Sequence, residues 1–300
     1  MKGFKRVIRT IIVTTLASIT LVACGGGGGG GGGVTNPGFT GVQTQAVIDD
    51  SNVQQLVFDA YDGGSLTDAM VIPLAVGSSQ SQPLAPLGQV LFDALPSLDF
   101  APTVTPLAVT SIDGTCGGTA TANISEGQTS ASGSIVYDNY CDADVTLNGS
   151  VTLSATLNTS TNVVSMTMSF NSLTAGVGSI SGTISMSEDL DDPSAPMTMS
   201  MNIVLTDALN QTYWVENYTM TITPGGTVDS VQISGTYHDF DAGHVVITSD
   251  SLQVDSITGA PESGTLHFAG ANGTYANLTA TGGGGYTLDW NGNLPVTGNF

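Results

Sequence analysis

From Thr119 to the C-terminus the apolar residues recur at every second position, and that period decides what the chain can fold into. In residues 145–157, Val145, Leu147, Val151, Leu153, Ala155 and Leu157 fall on one face, with Thr146, Asn148, Ser150, Thr152, Ser154 and Thr156 on the other. Val164, Met166, Met168 and Phe170 repeat the pattern, as do Met197, Met199, Met201, Ile203 and Leu205. Tyr218, Met220 and Ile222 follow it, and so do Val231, Ile233 and Tyr237. Successive strand side chains point to opposite faces, so each run offers one face to a core and one to water. Such alternation belongs to antiparallel sheet. Parallel sheet needs crossover connections, and no helical pattern lies between these runs. About 11 to 13 strands are expected, joined as a meander.

Glycine recurs inside the runs, followed by Ser or Thr and then an apolar residue. The element appears at Gly133-Ser134-Ile135, Gly149-Ser150-Val151, Gly182-Thr183-Ile184, Gly235-Thr236-Tyr237, Gly264-Thr265-Leu266 and Gly273-Thr274-Tyr275. Glycine within a strand marks a bend or bulge, although some of these sites, notably Asn272-Gly273, could instead be hairpin turns. Bends of this kind let a long-stranded sheet curl. The expected fold class is mainly β: a long-stranded antiparallel meander curled into an open barrel or sandwich, with one or two short N-terminal helices. A transmembrane barrel also alternates, but here the polar face is Ser and Thr and aromatic girdles are absent.

The chain before residue 113 reads differently. Ser51-Asn52 can cap a helix running to about Tyr61, with Val53, Leu56, Val57 and Ala60 on one apolar face and Gly63-Gly64 as the stop. A second short helix is expected over residues 88–95, on Val90, Leu91 and Leu95. Pro73, Pro83, Pro86, Pro96, Pro102 and Pro106 break the rest into extended or turn pieces. The expected division is a helical and Pro-rich segment, 46–112, packing on an antiparallel β-domain, 113–300.

Lys2, Lys5, Arg6 and Arg9 precede an apolar run that ends at Leu21-Val22-Ala23. This is the layout of a secretory signal. The run is shorter than the roughly 20 apolar residues a membrane-spanning helix needs. Leu21-Val22-Ala23-Cys24 resembles the lipobox of bacterial lipoproteins, Leu-x-Ala-Cys directly after the apolar run. The resemblance implies that residues 1–23 are a removed signal peptide. It implies a diacylglyceryl group on the Cys24 thiol and a fatty acyl (palmitate-type) chain on the new terminus. Several chains anchor a protein far more firmly than one. Gly25 stands where an Asp would resemble an inner-membrane retention signal, so in a Gram-negative cell the implied address is the outer membrane, periplasmic or surface-facing. Residues 25–33 are nine consecutive glycines. With the Thr, Asn, Pro and Gly that follow, they form an expected lipidated tether over 24–45, with a reach of roughly 25 Å.

All four basic residues lie in the first nine positions, and none of the 25 acidic residues lies before Asp49. The chain beyond Cys24 therefore has no Lys or Arg and a formal charge of −25. Nucleic-acid binding needs cationic side chains to neutralise phosphates, so no nucleic-acid partner is expected. Adsorption to anionic lipid and phosphoryl transfer lose their usual cations too. The expected membrane partner is the bilayer, through acylated Cys24. Cys116 and Cys141, an even pair in an exported chain, read as a disulfide.

Three groups could bind a ligand. His238-Asp239-Phe240-Asp241-Ala242-Gly243-His244 reads as a hairpin whose two histidines flank the turn and face each other. With Asp239 or Asp241 they could hold Zn²⁺ or Cu²⁺, although a polar turn is the plainer reading. Glu188, Asp189, Asp191 and Asp192 supply oxygen donors suited to Ca²⁺, but without the spacing of a calcium loop. A solvated turn is the preferred reading there. Met166, Met168, Met186, Met197, Met199, Met201 and Met220 could offer soft sulfur donors or a pliant apolar face, and core is preferred. No cofactor is expected, with Ca or Zn as the candidates at these groups. No nucleophile elbow, isolated catalytic-type cysteine or phosphate-binding glycine loop appears. The sequence thus points to an exported, membrane-anchored lipoprotein with a non-enzymatic structural or binding role. Two alternatives stand beside it: an apolar-ligand carrier using a concave Met-rich sheet face, and an envelope polymer hydrolase.

Overall fold

A computed structural model describes residues 38–65, 105–106, 110–142, 145–175, 178–192, 194–256 and 259–300. The signal segment, Cys24, the glycine run, the second expected helix over 88–95 and the prolines from Pro73 to Pro102 lie outside the described residues.

Among the described residues one α-helix, α1 (Val53–Ser65), precedes sixteen strands. They are β1 (Thr105–Pro106), β2 (Thr110–Asp113), β3 (Gly117–Glu126), β4 (Ser130–Asp142), β5 (Val145–Asn158), β6 (Val163–Ala175), β7 (Gly178–Asp189) and β8 (Met197–Thr206). Then come β9 (Thr212–Thr223), β10 (Val228–Asp239), β11 (Gly243–Ser249), β12 (Leu252–Asp255), β13 (Pro261–Ala269), β14 (Tyr275–Gly282), β15 (Gly285–Trp290) and β16 (Val296–Asn299). All belong to one antiparallel sheet in chain order, as the alternation required. Two columns of the sheet are interrupted strands. β1 and β2 both pair with β3, and β11 and β12 together fill the column between β10 and β13.

Among the described residues only α1 and the segment before it can cover a sheet of this width. The sheet covers itself by curling: one continuous core runs from Ala120 on β3 to Leu288 and Trp290 on β15. The outer face carries hydroxyls in register. Ser132, Ser154, Thr167, Ser185, Ser200 and Thr219 are successive cross-strand partners from β4 to β9. Apolar-in and hydroxyl-out is the reverse of a barrel facing lipid.

The strands bend at three of the six expected glycines, whereas Gly133 sits in unbroken register and Gly273 lies in the turn between β13 and β14. Gly149, Gly182 and Gly235 have positive φ, and each lies beside a break in register. The neighbouring strand answers with a residue in the left-handed region: Asn139 against Gly149, Ser172 against Gly182, Asn217 against Gly235. A bulge increases local twist and bends its strand, which is how strands of 12 to 14 residues follow the curl.

Helix α1 buries Val53, Leu56, Val57 and Ala60 against β9, β10 and β14. It runs through Gly63-Gly64 to Ser65 rather than stopping before them. Glycine weakens a helix without forbidding it, and at a helix end the loss is small. The segment before α1 differs more from expectation. Composition assigns residues 38–45 to the tether, yet they lie along the sheet as a strap. Val42 N–H donates to Phe240 O at 2.9 Å, Ala46 N–H to His244 O at 2.8 Å, and His244 N–H to Thr44 O at 3.0 Å. Asp50 closes the strap by accepting from Trp290 Nε1 at 2.7 Å.

Cys116 and Cys141 form the expected disulfide, with Cα atoms 5.1 Å apart, tying the start of β3 to the end of β4. No helix among the described residues is long and apolar enough to cross a membrane.

Candidate functional site

On the outer face, where β9, β10 and β11 meet the strap, the hydroxyl pattern gives way to aromatic rings. His238 and His244 are cross-strand partners, as the hairpin reading expects. The backbone N–H and C=O of His244 point to the strap instead of to β10. The pair is therefore of the non-hydrogen-bonded kind, in which side chains approach most closely. The ring centroids lie 5.0 Å apart.

Trp214 on β9 is the cross-strand partner of His238 on its other side and stacks on it, at 4.4 Å between centroids and 22° between planes. Phe39 of the strap closes over both, 5.3 Å from His238 and 6.0 Å from Trp214. Trp214 Nε1 donates to Asn202 Oδ1 at 2.6 Å, so its one polar atom is satisfied. His238 is left 5% exposed, the most buried of the three histidines.

Burial pushes the His238 imidazole below its usual value and nearby His244 lowers it further, while Glu216 opposes both. The neutral ring donates from Nε2 to Glu216 Oε2 at 2.9 Å. Its lone pair is then on Nδ1, which is buried and has no hydrogen-bond partner. His244 Nδ1 donates to the Gln43 carbonyl at 3.1 Å, and this places its lone pair on Nε2. Two imidazoles, each with one ring nitrogen held by a fixed acceptor, thus stand side by side.

Asp239 and Asp241 do not join them as sequence spacing allowed. Asp239 Oδ1 accepts from the Asp241 and Ala242 N–H groups at 2.9 and 2.7 Å and folds the turn. Asp241 is exposed on that turn. Among the described residues, no group of three or more His, Cys, Asp or Glu side chains is placed to hold a metal ion. His267 lies apart, donating from Nδ1 to Asn277 Oδ1 at 2.8 Å.

The acidic group is a folded turn. Asp189 Oδ1 accepts from the Asp191 and Asp192 N–H groups, and Asp192 Oδ1 from the Ser194 N–H. Hydrogen bonds from Ser194 hold the Asp192 carboxyl below its usual value. Glu188 behaves differently. Its Oε2 is buried without a partner, and burial, with the Asp189 charge second, pushes the carboxyl up to about 7. An acid whose folded value is raised binds its proton more tightly folded than unfolded. Stability is therefore fully present below about 4.5 and falls as pH rises through 7. Glu188→Gln should gain about 1–2 kcal/mol at pH 8, allowing for partial solvent screening, and nothing at pH 4. Urea unfolding at the two pH values checks this, and an equal gain at both would refute it.

The seven methionines among the described residues lie on the inner face. Met166, Met186, Met199 and Met220 are successive cross-strand partners from β6 to β9, and each belongs to the core or packs against it. They fill the concave face instead of lining an open one.

Sequence reasoning missed Trp214, Glu216, Phe39 and Gln43 as neighbours of the histidines. Trp214 and Glu216 carried one usable signal, an aromatic and a carboxylate on the strand face whose other positions are Thr212, Thr219, Thr221 and Thr223. Phe39 and Gln43 carried none. No family model, curated protein or solved structure matches this chain. What its own fold defines is a single-sheet, curled antiparallel β-domain with a self-filled interior and a histidine–aromatic cluster under an N-terminal strap.

Proposed function

We propose that the chain is an exported lipoprotein, anchored through acylated Cys24, whose β-domain has a non-enzymatic binding or structural role in the cell envelope. The single observation that carries the role is the filled interior. Met168, Phe170, Ile184, Met201, Tyr218 and Phe268 are each at most 4% exposed on the concave face. A carrier needs that face for its cargo; here the chain's own side chains occupy it. Partners are left the outer face, which is hydroxyl-rich and free of Lys and Arg. The anchor rests on the lipobox resemblance at Leu21-Val22-Ala23-Cys24, and the outer-membrane address on Gly25.

Fractionation of a Gram-negative host tests the anchor. Nearly all wild-type protein should sediment with membranes and incorporate labelled palmitate. Cys24→Ser should move to the soluble fraction and lose the label. Sedimentation of the variant with membranes would end the lipoprotein reading. Native mass spectrometry of detergent-purified protein tests the role: covalent acyl mass and nothing more is the expected result. A non-covalent lipid at one per chain would restore the carrier in its place.

A further inference from the structure

The geometry points to a binding site for one borderline divalent transition-metal ion between His238 Nδ1 and His244 Nε2, with water completing the coordination. Three observations converge on it. Two imidazole nitrogens on one tetrahedral ion, each about 2.1 Å away, put their ring centroids about 5 Å apart; the rings of His238 and His244 lie at 5.0 Å. Each ring also donates its other nitrogen to a fixed acceptor, Glu216 Oε2 for His238 and the Gln43 carbonyl for His244. This is the outer arrangement that metal-bound histidines use to fix tautomer and orientation. Finally, His238 Nδ1 is a buried acceptor with no hydrogen-bond partner. A buried polar atom without a partner is costly, and a cation at the lone pair would satisfy it.

Imidazole donors without thiolate or a converging carboxylate favour Cu²⁺, Ni²⁺ and Zn²⁺ over Ca²⁺ or Mg²⁺, with Cu²⁺ tightest. The Asp239 carboxylate is committed to the turn, so the site has two protein donors. Its affinity is accordingly that of an exchangeable site. Because His244 is tied to Gln43 of the strap, a bound ion would hold strap and hairpin together. This inference stands independently of the lipid anchor.

Cu²⁺ titration of the full-length protein in detergent tests it. Electron paramagnetic resonance should show one equivalent of Cu²⁺ with two nitrogen donors. Trp214, stacked on His238, should lose fluorescence over the same equivalent. His244→Gln, a half-buried position, should remove one nitrogen from the spectrum and weaken binding roughly tenfold or more. His267→Asn, at a site apart, should change neither. Oxygen-only coordination in the wild type would overturn the proposal, as would unchanged Cu²⁺ affinity in His244→Gln. Should His244→Gln not fold, the donor count in the wild type decides alone.

Discussion

Replacing Gly182 with alanine is expected to destabilise the β-domain by about 3–4 kcal/mol. Two costs add at this position. The backbone has φ +121°, a conformation L side chains rarely adopt. A Cβ would also stand 2.1 Å from the Asn202 carbonyl oxygen and 2.9 Å from Ile203 Cα. Both obstacles are backbone atoms of β8, so no rotamer change relieves the contact. Gly133 and Gly283 separate the two costs. At Gly133 a Cβ would meet Asn123 O at 2.1 Å without a positive φ, whereas Gly283 has φ +60° and open space around it. Gly283→Ala should lose only about 1 kcal/mol, with Gly133→Ala between the two. Denaturant midpoints order the series, and a Gly182→Ala loss no larger than that of Gly283→Ala would show that strand crowding at the bulge is not limiting.

The second large effect concerns the Cys116–Cys141 bridge, which spans 25 residues of sequence. Closing a loop of that length restricts the unfolded chain by about 3.5 kcal/mol on the chain-entropy estimate. The double variant Cys116→Ser with Cys141→Ser should lose about that much, roughly 10 °C in Tm for a domain of this size. The bridge ties together two strands that are already register partners at Gly117 and Cys141. The native hairpin should therefore survive while the unfolded state gains freedom. Calorimetry of the variant, and of wild type under reductant, should give matching shifts. No shift under full reduction would contradict the loop-closure account.

Both effects fall on features legible in the chain itself. Residues 145–157 were expected as one long strand, and β5 spans Val145–Asn158. The glycines of the recurring element were expected at bends, and Gly149, Gly182 and Gly235 lie there, while Gly133 runs through regular pairing and Gly273 falls in a turn. The strand number was underestimated because Asp250 and Ser251 split one column into β11 and β12, and because the short β1, β2 and β16 carry little alternation. The histidine pair was also legible, since a hairpin centred near Asp241 sets His238 opposite His244 by local geometry alone.

What surrounds those histidines was not. Trp214 and Glu216 reach His238 only through the register between β9 and β10, and that register shifts at Ser234/Thr236. Phe39 arrives from 199 positions away in sequence, on a segment whose composition looks like linker. Asp239 looked like a ligand, but turn backbone amides claimed it first. The sequence alone determined the sheet, its antiparallel sense, its inner and outer faces, the bends and the disulfide. These follow from side-chain alternation, glycine's backbone freedom and cysteine pairing, all properties of a short stretch of chain. The tertiary structure decided how far the sheet curls, that its interior is filled, and which groups share the histidine cluster. Those depend on strand register and on contacts between distant segments, and no local pattern in the chain encodes them.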